Sequence, residues 1–327
     1  MQNLQHIIGA DLSKKTIDLF CQSHFQIENN LRGFKQMLKW LKEQKINAFE
    51  VMIVMEHTGL YSYCFEDFLH KHQIAFSKVN ALVVKRSLGL VRGKSDKVDA
   101  RRLADYGFEK RTKLTIETQV SKELQRLQLL HSTRERLVRQ KAALLNSLKE
   151  YQNIGLTKVD SIVRTQTTLI RQFETEIRKL QVEMDAIIEK SPSIRQNQSL
   201  LQSIIGVGKV LSIATIIKTR NFTRFLNARK FACYCGTAPF EHTSGTSIRG
   251  KTRVSHLADK TMKTLLDLSA KSAIQYDKEL REYYLRRTAS GKSKMSTINI
   301  VRNKILYRMF AVINRQTPFI VNYLPAA

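Results

Sequence analysis

Four carboxylates have the type and placement that divalent-metal phosphodiester chemistry needs. Asp11 ends one apolar β-rich run, Glu56 ends another, and Asp96 and Asp99 stand one helical turn apart. Hard cations such as magnesium take oxygen ligands in near-octahedral geometry, and carboxylates from separate elements can hold one or two such ions. A second candidate lies far downstream. Ser244 directly precedes Gly245 and is followed by Arg249, Lys251 and Arg253; glycine gives access to a small hydroxyl, and cations offset the charge that develops on an attacked phosphate. Each feature also has a plainer reading. Asp96 can be a helix cap, Asp99 a solvated charge among Lys and Arg, and 244–253 a basic loop that only touches nucleic acid. Ser247 competes with Ser244, and His242 is near enough in sequence to act as a base, though a lone loop histidine is more often a bystander.

The elements that must position the acids are legible as an alternating pattern up to about Gly107, which argues for an α/β domain. Residues 5–11 and 16–21 are β-rich runs joined by a short polar turn, which predicts a hairpin with Asp11 at its inner end. Residues 51–56 are continuously apolar up to Glu56, as in a central strand buried on both faces. A charge ending such a strand must be solvated, paired or metal-bound. The spacing predicts a helix over 31–43 with Leu31, Phe34, Leu38 and Leu41 on its apolar face, a helix over about 61–71 and a strand over 74–80. A last helix carries Asp96 and Asp99 on one face, with Gly107 as its C-terminal stop.

Composition bounds the partner. The chain has 327 residues, long enough for two or three domains, and only 13 Gly and 4 Pro, which argues for a compact, helix-rich protein. Its 55 Lys and Arg against 28 Asp and Glu give a formal net charge of +27, which calls for a large polyanion. Residues 220–315 alone hold 20 Lys or Arg against 6 Asp or Glu, making the C-terminal third the expected nucleic-acid face. No apolar stretch approaches the roughly 18 residues of a membrane span, and the N-terminus lacks a signal peptide's apolar core, so a soluble cytoplasmic protein is expected. Cys21, Cys64, Cys233 and Cys235 include no C-x-x-C pair, which argues against structural zinc and disulfides.

From 120 to 189 the pattern changes to two long polar helices with apolar seams. Leu130, Leu137, Leu144 and Tyr151 recur every seven residues, while Ile170, Phe173, Ile177, Leu180, Met184 and Ile187 alternate steps of three and four. The predicted element is an antiparallel coiled-coil hairpin reversing at 153–155 and ended by Pro192, either a spacer or a dimerisation arm. Beyond it, Gly206-Val207-Gly208-Lys209 reads as a turn between helices whose amides can approach a phosphate, and equally as a tight turn with no ligand. Residues 257–315 read as helices with Leu265, Leu268, Ile298, Ile305, Met309 and Ile313 as core positions. The expected division is 1–112, 113–192 and 193–327: α/β, then coiled coil, then all-α.

In this order the motifs resemble the DEDD transposases of bacterial insertion sequences, the one-ten family, whose members are bridge-RNA-guided serine recombinases related to pilin-gene invertases. The resemblance covers nearly the whole chain. It rests on Gly9-Ala10-Asp11, Glu56-His57-Thr58-Gly59, the stretch 94–100, Gly206-Val207-Gly208, and the stretch from Pro239 to Ser244-Gly245. It implies a RuvC-like (ribonuclease H-type) domain in which Asp11, Glu56, Asp96 and Asp99 hold Mg2+, or Mn2+. It further implies a coiled coil and a helical transposase domain with Ser244 as nucleophile. The implied partners are donor and target DNA, a noncoding bridge RNA that pairs with both, and further copies of the chain as a dimer or dimer of dimers. Lys94, Gly206, Gly208, Lys209, Arg249, Lys251 and Arg253 are the candidate nucleic-acid contacts. Base pairing by the RNA would supply sequence while the basic chain supplies affinity. Acids and serine fall in different domains, which two protomers sharing a composite site would reconcile. The chain departs from the family pattern after the basic loop, where Ala258-Asp259 stands in place of a glycine before Asn or Asp. A metal-only nuclease with water as nucleophile and a non-enzymatic nucleic-acid-binding protein are the alternatives.

Overall fold

The structure is a computed structural model that describes residues 4–87, 89, 93, 95–244 and 248–320, and only the backbone at 242–244, 248, 249 and 251. The chain forms two compact units, Met1–Gln119 and Val120–Ala327.

The first unit is built on strands β1 (His6–Leu12), β2 (Thr16–Phe20), β3 (His24–Glu28), β4 (Val51–Glu56) and β5 (Ala75–Val79). They form one sheet in the order β3-β2-β1-β4-β5; β1, β4 and β5 are parallel, β2 runs antiparallel beside β1, and β3 antiparallel beside β2. Helices α1 (Leu31–Glu43), α2 (Tyr63–Lys71), α3 (Ala81–Ser87) and α4 (Asp96–Glu109) complete it. Strand alternation sorts the side chains into two cores. Ile8, Ala10, Ile17, Leu19, Ile53 and Met55 face α1 and α2, where Phe34 lies between the rings of Phe65 and Phe68. Met52, Val54 and Val79 face the other way, onto Val84 of α3 and Leu103 of α4.

The hairpin, the 51–56 strand and the 31–43 helix match expectation, with two differences that have physical causes. Leu31 is 61% exposed, and the buried face of α1 is Gly33, Phe34, Met37, Trp40 and Leu41. A Cβ on Gly33 would come within 2.0 Å of the Glu28 carbonyl oxygen, so this close approach sets the helix rotation and turns Leu31 outward. Gly107 does not end α4; it lies inside the helix, where a Cβ would meet Ile7 and Val54 at 2.7 Å. Gly9 makes the reciprocal approach, since its Cβ would sit 1.9 Å from the Ala100 carbonyl oxygen. The two glycines let α4 lie directly on β1.

The second unit begins with α5 (Lys122–Asn153) and α6 (Ser161–Lys190). Arg126–Glu183, Lys141–Glu174 and Ser147–Gln166 cross-link them with an antiparallel register. Gly155, with φ of +93°, stands in the reversal between them, where its left-handed backbone is tolerated. Then follow α7 (Pro192–Gln202), α8 (Lys209–Thr219), α9 (Ala228–Tyr234), β6 (Pro239–Ser244), β7 (Ile248–Val254), α10 (Lys260–Tyr276), α11 (Lys278–Ala289) and α12 (Lys294–Arg315). Leu127 and Leu130 of α5 and Met184 and Ile188 of α6 join Leu211, Phe231, Leu266, Ile305 and Met309 in one core, so the base of the hairpin is part of this body. Full burial of such a side chain contributes about 1.5–3 kcal/mol. Leu268, expected inside, is 58% exposed; Met262, Leu266, Ala270 and Ala273 form the buried stripe of α10 instead. The small residues on that stripe admit the turn at Gly206, whose Cβ would meet the Ser269 carbonyl oxygen at 2.7 Å and Ala273 Cβ at 2.9 Å.

Candidate active site

Asp11 is the second-last residue of β1, and the parallel register that pairs Ala10 with Met55 brings Asp11 beside Glu56 at the ends of adjacent central strands. Asp11 alternates with Ala10 and Leu12, and Glu56 shares the parity of Met52 and Val54, so both turn to the face covered by α4. That helix starts at this edge of the sheet. Ser95 caps it by accepting a hydrogen bond from the Val98 amide, which makes Asp96 the first helical residue and not the cap. Asp96 and Asp99 occupy its first turn, where the helix dipole favours negative charge. The close packing through Gly9 thus brings the helix start over the strand ends.

The electrostatics register the convergence. Burial first, then the charges of Asp96, Asp99, Glu56 and Asp18, push Asp11 from 3.8 up to about 6. Asp99 Oδ1 accepts a hydrogen bond from the Arg102 guanidinium at 2.8 Å, which also bonds the Gly93 carbonyl. The acids converge without closing into a cage: among the described residues, no three His, Cys, Asp or Glu side chains are near enough to share one ion as placed. Their chemistry suits a hard divalent cation, since all are oxygen donors and a positive charge among them would relieve the repulsion felt at Asp11. Asp18 carries no local signal in the sequence. The signal that finds it is register: it sits directly across the β1–β2 ladder from Asp11.

The second candidate lies in the other unit. β6 and β7 form an antiparallel hairpin in which Phe240 pairs with Arg253, Thr243 with Arg249 and Ser244 with Ile248. This glycine-rich basic stretch has no strand pattern in its sequence, yet the pairing makes Ser244 the last rung of β6, about 16 Å along the strand from Pro239. Lys94, Gly245 and Ser247 lie outside the described residues, as do the side chains of His242, Ser244, Arg249 and Lys251; Arg253 is exposed.

The root of the hairpin is tied down from several sides. Asn299 and Asn303 of α12 both donate to the Thr237 carbonyl, at 2.8 and 2.9 Å. The Tyr234 hydroxyl donates to Asp259 Oδ2, the Asp259 amide donates to the Tyr234 carbonyl, and Lys218 Nζ lies 2.8 Å from the same carboxylate. Asp259 also caps α10 through the Met262 amide. At Ala258, the departure from the family pattern, the methyl group fills the space beside Gly236, whose Cβ would meet it at 2.4 Å. Of the other candidate contacts, Gly206 is held by packing against α10, Lys209 forms an ion pair with Asp185 at 2.6 Å, and Gly208 is exposed ahead of α8.

Comparison with known proteins gives these sites a setting. A DEDD transposase family model of the IS110 type matches residues 8–152, and the Transposase IS116/IS110/IS902 family model matches 198–285. The pilin gene-inverting proteins of Moraxella bovis and Moraxella lacunata are each 27% identical over 323 residues, covering 95% of this chain and 97% of theirs. An uncharacterized 43.6 kDa protein of the insertion element IS110 from Streptomyces coelicolor is 26% identical over 172 residues, which is 53% of this chain and 41% of that one. One matched region contains Asp11, Glu56, Asp96 and Asp99, the other contains Ser244, and both describe one group of mobile-element enzymes: in both regions the chain is similar to the IS110-family DEDD transposases.

Proposed function

We propose that this protein is a transposase that performs RNA-guided, site-specific DNA strand cleavage and exchange through a covalent phosphoserine at Ser244, with Mg2+ or Mn2+ held by Asp11, Glu56, Asp96 and Asp99. The observation that carries the metal half is the convergence of two strand-end acids and two helix-start acids on one face of the first unit. The sheet order β3-β2-β1-β4-β5 supports a RuvC-like assignment for that unit. The serine half rests on the placement of Ser244 at the end of β6, on a hairpin rooted in the helical body and followed by Arg249, Lys251 and Arg253 on β7.

In this reading Ser244 Oγ attacks a backbone phosphorus as its proton passes to solvent, the P–O3′ bond breaks, and a 3′ hydroxyl leaves. After strand exchange, the partner's 3′ hydroxyl attacks the phosphoserine and releases the serine, so the bond energy is conserved and no nucleotide triphosphate is consumed. Arg249, Lys251 and Arg253 neutralise the phosphate oxygens during both steps. A bound divalent ion would supply Lewis-acid polarisation of a phosphoryl oxygen. Lys94, Gly206, Gly208 and Lys209 add backbone contacts to DNA or RNA; Lys209 would exchange Asp185 for a phosphate. The α5–α6 hairpin acts as a coiled-coil dimerisation arm, which gives the division 1–112, 113–192 and 193–327 a functional sense.

The test incubates purified protein, element-derived RNA and end-labelled donor and target DNA with Mg2+ and resolves protease-sensitive DNA–protein adducts on a denaturing gel. An adduct that disappears in Ser244→Ala is expected. Cleavage without an adduct would replace the serine mechanism with a metal-only nuclease, and binding without cleavage would leave a nucleic-acid-binding protein.

A further inference from the structure

The first unit buries an acid that the fourfold set does not use. Asp18 is 3% exposed and pairs with Asp11 across the antiparallel ladder. Its neighbours Ile17 and Leu19 point into the opposite core, so Asp18 turns to the α4 face together with Asp11 and Glu56. Arg101 of α4 lies over the ring of Phe20, two residues along the same face. Side chains directly opposite in such a ladder have Cβ atoms about 4.5–5.5 Å apart, where like charges destabilise the pair.

Asp18 is also held firmly. His24 Nε2 lies 2.6 Å from Asp18 Oδ1, and Gln26 Nε2 donates to both carboxylate oxygens at 3.1 Å. His24 and Gln26 alternate along β3 opposite Phe20 and Asp18, so the edge strand lines this face with the two groups that fix the carboxylate. A purely structural need would be met by a neutral amide without setting one anion against another. Arg101 already stands on this face, and an anion fixed there gains further when a divalent cation joins it.

Resting on the metal reading above, we propose that Asp18, fixed by His24 and Gln26, is a positioning residue of the cation site whose charge across the ladder from Asp11 strengthens divalent-metal binding without ligating the ion. The experiment is a Mn2+ titration of the full-length protein by calorimetry, with melting temperature in EDTA measured beside it. Asp18→Asn is expected to weaken Mn2+ binding about fivefold or more, the scale of one unit charge at this range in a half-exposed site, while the EDTA melting temperature holds or rises. Unchanged Mn2+ affinity with a lowered melting temperature would reduce Asp18 to a structural partner of His24 and overturn the inference, leaving the metal reading intact. No Mn2+ uptake by the unsubstituted protein would overturn both. If Asp18→Asn does not fold, His24→Gln decides: it keeps the charge but removes one of its two holders, so about twofold weaker binding is expected, and affinity equal to the unsubstituted protein would overturn the inference.

Discussion

Asp11 and Asp259 are the same side chain at half-buried positions, and the two units treat them in opposite ways. Burial and four neighbouring carboxylates push Asp11 up to about 6. Burial would push Asp259 up as well, but the Lys218 ammonium, the Met262 amide and the Tyr234 hydroxyl more than offset it and hold its carboxyl below the usual range. The first unit therefore gathers negative charge that its own side chains leave uncompensated at Asp11, and the second closes its charges on one another. A site that keeps repulsion is arranged for an external cation; a site that neutralises itself is arranged for rigidity, here at the root of the Ser244 hairpin.

The hardest blow to this comparison is steric. Gly9→Ala places a Cβ against the Ala100 carbonyl and the Ala104 amide, so α4 must lift from β1. Backbone atoms cannot swing aside as a flexible side chain can. We expect a loss of about 3 kcal/mol in urea denaturation, together with loss of DNA cleavage, because Asp96 and Asp99 leave with the helix. A variant that keeps full stability would mean the acids do not depend on this close packing for their convergence.

This dependence also explains what the sequence could and could not reveal. Asp11, Glu56 and the 96/99 pair were legible because strand ends and one-turn helical spacing are local properties, and the apolar runs that carry them have a clear period. Gly107 misled because a glycine near a helix end has the same local signature whether it stops the helix or admits a neighbour, and only the sheet beneath decides. Asp18 escaped because its relation to Asp11 is a matter of register between strands. Period alone places Leu31 and Leu268 inside, whereas Gly33 against Glu28 and Ser269 and Ala273 beside Gly206 fix the rotation of their helices. The hairpin of β6 and β7 is not legible in the sequence because its residues are small, polar and glycine-rich, and its roots are held by Asn299 and Asn303, some sixty residues away in sequence.

A second pair of substitutions sharpens the contrast by sign. Lys218→Met strands the Asp259 carboxylate and is expected to cost about 2 kcal/mol, less than for a fully buried pair because the Lys218 side chain is 33% exposed. Asp11→Asn removes a repelling charge and is expected to stabilise the metal-free protein, by no more than about 1 kcal/mol given solvent screening, even as DNA cleavage falls by about a hundredfold or more. Chemical denaturation in EDTA measures both. Destabilisation by Asp11→Asn would mean that its carboxylate is compensated within the fold after all.

The smallest effect separates the units by pH. Asp11 has a folded pKa near 6 against an ordinary 3.8, so the fold favours its protonated form; that contribution is complete below about 3.8 and is lost as pH rises through about 6. His131 of α5 is buried, its Nε2 without a partner among the described residues. Burial, followed by the charges of Arg134 and Lys218, lowers it from 6.5 to about 4. The fold therefore favours neutral His131, a contribution complete above about 6.5 and lost as pH falls through about 4. Between pH 4 and 6.5 the two groups pull stability in opposite directions. Relative to the unsubstituted protein in EDTA, the melting temperature of Asp11→Asn should gain as pH rises across this window, and that of His131→Gln should gain as pH falls. Slopes of the same sign would mean that the fold does not favour the neutral form of one of the two groups, and the opposition between Asp11 and His131 would be lost.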